Sequence, residues 1–219
     1  MEVQLHTFLF ADISGCSTLT ELEGDEAAAE AAISFAAEVS RLAAEHQTDV
    51  VRRIGDAVMV HGLNAAETLE LGLRLQTVSW HLGLPPVHTG IHTGPALERE
   101  GDWWGATVNV TARVAAAAEA GQLLVTEPAK LAAGELNDAN FTALGALQLK
   151  NISAPVPVYS LARREAHVYL LYSRKGSALV SRAETGLALA KTGLGGERGL
   201  YDLPYVLRGR EGLGADAAY

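Results

Sequence analysis

A β-rich apolar run, Val3 to Ile13, ends on an aspartate, Asp12, and passes straight into a Gly/Ser/Thr turn, Ser14-Gly15-Cys16-Ser17-Thr18, before a long helical stretch. A strand that hands a carboxylate to a turn and then to a helix belongs to folds in which helices pack on a sheet. The rest of the chain keeps this grammar. Thr18 to His46 is rich in Ala, Glu and Leu and reads as helix with a break at Gly24-Asp25. Thr48 to Arg53 and Ala57 to His61 are short apolar strands around Ile54-Gly55-Asp56, a hairpin-like turn. Asn64 to Leu82 reads as a helix with Asn64 as its N-cap, and Val87 to Thr93 as a strand running into Gly94-Pro95. The order βαββαβ predicts an α+β fold of ferredoxin-like arrangement, with an antiparallel-rich sheet and flanking helices. An Ala-rich helix, Thr107 to Ala120, follows and is closed by Gly121. Then come a strand (Leu123 to Thr126), a short helix (Pro128 to Leu136) and two strands (Phe141 to Leu149, Val156 to Leu161).

Charge divides the 219 residues unevenly. Residues 1–162 hold 20 acidic and 8 basic residues, whereas 163–219 hold 6 acidic and 9 basic. The latter stretch is rich in Gly, Leu and Arg, with apolar patches at Val168 to Tyr172 and Leu203 to Leu207. A boundary near Arg163 is therefore expected, with residues 163–219 as an extension whose Gly content disfavours stable helix. The acidic body argues against a nucleic-acid partner that depends on a basic field. One cysteine excludes an internal disulfide framework. The N-terminal residues lack the pattern of a signal peptide and no apolar run reaches the ~20 residues of a membrane span, so a soluble, cytoplasmic protein is expected.

Three constellations carry chemistry. In the first, Asp12 precedes a turn whose backbone N–H groups can cradle phosphate at a helix start; a plain N-cap is the simpler reading. In the second, Arg52-Arg53-Ile54-Gly55-Asp56 places an aspartate at a turn. If that hairpin pairs beside the first strand, Asp12 and Asp56 converge, and two hard carboxylates near phosphate suit a divalent cation of the Mg²⁺ type. In the third, Gly101-Asp102-Trp103-Trp104-Gly105 leads to Asn109 and Arg113, spaced i, i+4 on one helix face. An amide beside a guanidinium can hold a sugar and a phosphoryl group. Burying such a pair in this Ala-rich helix for structure alone would be costly.

Taken together, FADISGCSTL, RRIGDAVMV, GIHTG and GDWWGATVNVTAR, in this order, resemble the catalytic domain of the class III nucleotidyl cyclases, bacterial type, from about Thr7 to Leu161. LKNISAPVPVYSL resembles the closing strand pair of bacterial members. The resemblance implies that Asp12 and Asp56 bind two Mg²⁺ or Mn²⁺ ions together with the Ile13 carbonyl. It implies that Asn109 positions the ribose, that Arg113 stabilises charge at the α-phosphate, and that Asp102 accepts from the adenine 6-amino group. Gly15, Cys16 and Ser17 form the phosphate turn. The implied substrate is ATP and the implied assembly a homodimer, with the aspartates from one protomer and Asp102, Asn109 and Arg113 from the other.

Several positions depart from the family pattern. Arg52 stands where adenine-selecting members carry lysine, and His88 where many carry an arginine that helps hold phosphate. Cys16 replaces an aromatic and reads best as a small buried apolar residue. Lys150 is the candidate for a late phosphate-binding lysine, with a solvated charge as the alternative. Trp104 is expected in the core, Trp103 near the base pocket. Arg52 and His88 keep two alternatives open, a nucleotide-binding dimerisation module without turnover and a cyclase of another base. A regulatory partner is conceivable, but no motif identifies one.

Overall fold

The computed structural model describes residues 4–164, 168–173, 176–183 and 186–189. The chain runs β1 (His6–Ile13), α1 (Cys16–Glu23), α2 (Asp25–Glu45), β2 (Asp49–Ile54), β3 (Ala57–Gly62), α3 (Ala65–His81), β4 (Val87–Gly94), β5 (Leu97–Arg99), β6 (Asp102–Trp104), α4 (Ala106–Ala117), β7 (Leu123–Thr126), α5 (Glu127–Ala133), β8 (Ala139–Leu147) and β9 (Val156–Arg163). Beyond these lie β10 (Val168–Ser173), β11 (Gly176–Ala183) and β12 (Gly186–Leu189), which pair antiparallel in a sheet of their own. The described residues divide into two units, one of residues 4–137 and 141–161, the other of residues 138–140 and the described residues from 162 onwards. The apolar patch at Leu203 to Leu207 lies outside the described residues. Among the described residues no helix is long and apolar enough to cross a membrane.

The large sheet has the order β2-β3-β1-β4-β7-β9-β8, and its first four strands realise the expected βαββαβ topology. β1 is central and pairs antiparallel with β3 and β4, while β4 and β7 are parallel. Side chains alternate across a strand, so the two faces can be assigned. Gly90 and Gly94 face α4: a Cβ at Gly90 would stand 2.1 Å from the Ala115 nitrogen. The intervening Ile91 faces α3, where Gly72 approaches its Cδ1 and Gln76 donates to Thr89 Oγ1 at 3.0 Å. The α2 helix buries Ala28, Ala31, Phe35, Ala36, Val39, Leu42 and Ala43 along one stripe, the i, i+3, i+4 spacing of an amphipathic helix. Its neighbour is the α3 face, since Arg53, next to Arg52 on β2, donates to Ser40 Oγ.

Local chemistry explains most element ends. Gly24 (φ 93°) separates α1 from α2 at the expected break. Asn64 Oδ1 accepts from the Ala66 and Glu67 N–H groups, capping α3 as expected. Two helices are shorter than their composition suggests. α4 stops at Ala117 rather than Ala120, because Ala118 is extended and Gln122 Oε1 takes the Glu119 N–H. α5 stops at Ala133, where Gly134 (φ 68°) turns the chain before Leu136. β5 and β6 were not expected. Their two-residue turn, Glu100-Gly101, has both residues at positive φ (54° and 76°), as a type I′ hairpin requires, but its first residue is not the usual Asn or Asp.

Candidate active site

The end of β1 supplies one carboxylate and the β2–β3 turn the other. Ala11 lies opposite Val58 in the β1–β3 ladder, which sets the Gly55-Asp56 turn beside Asp12 and Ile13. Gly55 (φ 64°) gives this turn its left-handed residue. Cys16, the first residue of α1, marks the convergence: its thiol hydrogen-bonds Asp56 and feels the charge of Asp12. Burial first, and then these two carboxylates, push the thiol pKa up. Cys16 is therefore half-buried and polar-bonded, not the enclosed apolar residue expected from sequence. Gly15 (φ 79°) turns the strand into α1, and no side chain caps this helix start. Ser17 is exposed there, and Ile13 is buried.

Asp12 is held on one side only. Its Oδ2 lies 3.4 Å from His88 Nε2, while its Oδ1 is buried without a hydrogen-bond partner. His88 is fixed in turn by Ser14, whose Oγ lies 3.0 Å from Nδ1. A buried unpartnered carboxylate oxygen is costly unless something binds it. Among the described residues no group of three or more His, Cys, Asp or Glu is arranged around a metal position. Two carboxylates and a backbone carbonyl nevertheless fit Mg²⁺ or Mn²⁺, which take few protein oxygens and leave room for water and phosphate.

A second group lies along the sheet. Arg52, Met59, Phe10 and Gly90 sit across from one another in register and so share the α4 face. Arg52 donates to Asp102 Oδ2 from β6 in the same chain. Asp102 Oδ1 accepts the Trp103 N–H at 2.8 Å. Trp103 stacks on His61 with centroids 4.2 Å apart and lies 4.5 Å from His6 and 5.5 Å from Phe8. Trp104 points the other way and is 58% exposed, which corrects its expected place in the core. Strand alternation allows only one of the two tryptophans to face the sheet. His92 on β4 bonds Thr126 Oγ1 at 2.7 Å, and burial lowers its pKa to about 4, so it is a neutral packing residue.

The third group is on α4. Asn109 and Arg113 stand one turn apart and both are exposed, with no side-chain partner among the described residues. The argument from burial cost therefore falls away; their exposure leaves them open to a ligand or another protomer. Lys150, also exposed, follows β8. Its neighbours Leu149 and Ile152 pack with Val110 and Val114 of α4, which puts Lys150 on the side of this helix. The turn holding Lys150 precedes β9, whose start lies beside the end of β7, away from Asp12. α4 runs from Gly94 back towards Gly90, so its N-terminus also points away from Asp12. The chain thus gathers Asp12, Asp56, Cys16, Ser14 and His88 at one end of the sheet and Lys150 towards the other, while Asn109 and Arg113 stand exposed on α4 with no contact to the carboxylates among the described residues. Sequence reading missed Ser14 as the support of His88, and His6 as the partner of His61.

A βαββαβ sheet with one carboxylate at the end of its central strand, a second on the neighbouring hairpin turn and an exposed Asn–Arg pair on a later helix is the arrangement expected of a nucleotidyl cyclase type of catalytic domain. Residues 2–172 match the adenylate and guanylate cyclase catalytic domain, and the chain belongs to that family. It is 30% identical over 161 residues to a pH-sensitive adenylate cyclase of Mycobacterium tuberculosis, covering 72% of this chain and 40% of that protein. To an adenylate cyclase of Streptomyces griseus it is 32% identical over 117 residues, covering 53% of this chain and 29% of the relative. The chain thus spans well under half the length of these relatives. Among solved structures, an adenylate cyclase from Trypanosoma brucei in its monomeric state superposes with a TM-score of 0.66 at 23% identity, covering 72% of this chain and 88% of that one. An adenylyl cyclase from P. aeruginosa superposes with a TM-score of 0.61 at 22% identity, covering 80% and 98%. These structural likenesses bear on the fold.

Proposed function

We propose that residues 1–162 form the catalytic domain of an adenylate cyclase, which converts ATP to 3′,5′-cyclic AMP and pyrophosphate in a homodimer with shared sites. The observation that supports this reading is that one chain carries two sets of unpartnered polar groups. Among the described residues, Asp12 keeps a buried oxygen without a partner, and Asn109 and Arg113 stand exposed without side-chain partners. A second copy, turned to face the first, would bring the two sets together.

Asp12, the Ile13 carbonyl and Asp56 are the residues that would hold two Mg²⁺ or Mn²⁺ ions. When bound, these ions supply a 3′-hydroxyl of lowered pKa and positive charge for the phosphates. The N–H groups at Gly15, Cys16 and Ser17 receive phosphate oxygens at the uncapped start of α1. Asn109 orients the ribose so that the 3′-oxygen lies in line with the α-phosphorus. The new P–O bond forms as the bond to pyrophosphate breaks, and Arg113 offsets the charge on the α-phosphoryl oxygens. Lys150 adds a cation from the Arg113 side. Arg52 and Asp102 form the base pocket, with Asp102 accepting from the 6-amino group and Arg52 donating to a ring nitrogen. The curated relatives above, described as adenylate cyclases, support adenine as the base.

A second reading, a nucleotide-binding dimerisation module without turnover, is favoured by one observation. His88 is engaged with Asp12 and Ser14, which leaves it less free to hold phosphate. The test is product formation with Mn²⁺ and each of ATP, GTP, CTP and UTP, products identified by mass. Cyclic AMP from the wild type and none from Asp56→Ala is the expected result. A different cyclic nucleotide reassigns the base pocket. Nucleotide binding by a folded dimer without product supports the second reading.

A further inference from the structure

Beneath the hairpin that carries Asp102 lies a cluster the proposed reaction does not use. His6 on β1 and His61 on β3 are both buried, and His6 Nδ1 lies 3.0 Å from His61 Nε2. One imidazole must donate and the other accept, so this bond needs at least one neutral ring. Trp103 lies over both rings, and Phe8 closes the cluster from β1. Trp103 is the residue next to Asp102, and its backbone N–H is bonded to Asp102 Oδ1. Three short steps therefore link the histidine pair to the Asp102–Arg52 contact: ring on ring, side chain to backbone, carboxylate to guanidinium.

We propose that His6 and His61 are positioning residues for base recognition: their paired rings make a platform for Trp103, which seats the β5–β6 hairpin so that Asp102 meets Arg52. This rests on the adenylate cyclase reading above. β5 and β6 have three residues each and pair only with one another, so their own ladder gives them little hold on the large sheet. Trp103 is the ring that anchors the hairpin to that sheet, and a half-buried indole stacked on an aromatic platform is a local anchor.

The same platform makes base recognition sensitive to acid. Burial lowers the pKa of His6, with Glu98 on β5 opposing. Burial and then the charge of His6 lower that of His61, with Asp49 on β2 opposing. Across Phe8 on the β4 side stands His92, itself held neutral by burial. Both rings of the pair are thus neutral at pH 7. Because the shifts are downward, the platform is intact above the usual histidine range and is lost only as pH falls below it. Full protonation would place two cations at hydrogen-bond distance and remove the acceptor, releasing Trp103.

Two measurements on the full chain test this. The first needs no turnover. Tryptophan emission is followed from about pH 8 to about pH 5 in the wild type and in Trp103→Phe, and their difference isolates Trp103. An imidazolium against an indole quenches it, so the difference signal should fall as pH drops below the usual histidine range and stay flat in the double variant His6→Phe/His61→Phe, which leaves no imidazole of the pair against Trp103. A flat wild-type signal, or one unchanged in His6→Phe/His61→Phe, overturns the platform. The second compares KM for ATP with KM for the purine nucleoside triphosphate that lacks the 6-amino group. His61→Ala should raise KM for ATP about tenfold, the scale of one lost bond to a charged group, with kcat and the KM of the analogue nearly unchanged. His61→Phe, which keeps the ring, should restore KM for ATP near neutral pH and abolish its rise in acid. Parallel rises in both KM values, or a fall in kcat alone, overturn positioning. Absence of cyclic product from the wild type would instead defeat the cyclase reading, and the emission result would stand apart from it.

Discussion

His88 stands directly across from Asp12 in the β1–β4 register, and its Nε2 lies 3.4 Å from Asp12 Oδ2. Ser14 holds the other ring nitrogen, so the imidazole is pinned from both sides. The carboxylate is thereby turned with Oδ1 buried and free to bind. Partners that orient a metal ligand commonly change affinity 10- to 100-fold when removed. His88→Ala should therefore weaken Mn²⁺ binding by about tenfold or more, read by the electron paramagnetic resonance of free Mn²⁺. His88→Gln, which keeps a donor, should recover part of the loss. Unchanged Mn²⁺ affinity in His88→Ala would mean that the carboxylate needs no such support.

The Cys16 thiol reports on the same carboxylates. Burial raises its pKa, and so do the charge and hydrogen bond of Asp56 and the charge of Asp12. An upward shift means less thiolate at a given pH, so alkylation by iodoacetamide at mildly alkaline pH should be slower than for a free cysteine. Asp56→Asn removes one negative charge and should move the pH midpoint of the reaction down. At fixed pH this speeds labelling by a few-fold, since one unit of pKa is about a tenfold change in thiolate. Equal labelling rates in the two proteins would place Asp56 away from the thiol.

The proposed site shared between two protomers predicts complementation. Arg113→Ala should lower turnover by about 10²–10³, the scale for loss of a preorganised charge, and Asp56→Ala should abolish it by removing a metal ligand. Mixing the two inactive variants under subunit exchange should restore activity, because one heterodimer site then carries neither substitution. Persistent inactivity of a demonstrated heterodimer would count against a site shared in this way.

How far the sequence foretold this arrangement depends on the range of the interactions concerned. Asp12, Asp56 and the Asn109–Arg113 face were legible because each sits at an element end or on a helical repeat, which short-range patterning sets. The pairing of His6 with His61 spans 55 positions and is made by the register of β1 on β3. No local pattern announces it. The exposure of Trp104 had the same origin: the residues Asp102-Trp103-Trp104 fall in no strand expected from the sequence, and only the I′ hairpin reveals which ring faces the sheet. The ends of α4 and α5 were overrun because alanine favours helix wherever it stands, whereas the chain's turn towards the next element decides the stop.

The close approach of α4 to β4 yields a stability prediction with an internal control. A Cβ at Gly90 would stand 2.1 Å from the nitrogen and 2.5 Å from the Cα of Ala115, and 2.7 Å from the Val114 carbonyl carbon. All three atoms are backbone, so no side chain can rotate to make room. The helix must move, and Arg113 moves with it. Overpacking of this kind costs about 1–3 kcal/mol or more, which for a chain of this size lowers Tm by roughly 2–4 °C per kcal/mol. Gly72 is the contrast. It lies within α3, and its Cβ would meet only the tips of the Ile91 and Leu123 side chains at 3.0–3.3 Å. There alanine also gains about 1 kcal/mol of helix propensity, which offsets the crowding. Thermal unfolding followed by circular dichroism should therefore place Gly90→Ala well below the wild type and Gly72→Ala near it. If Arg113 acts in turnover as proposed, activity should fall in Gly90→Ala even at temperatures where it is fully folded, because the helix that carries Arg113 is displaced. A Gly90→Ala protein that unfolds with Gly72→Ala and keeps full activity would show that α4 does not rest on β4 at this position.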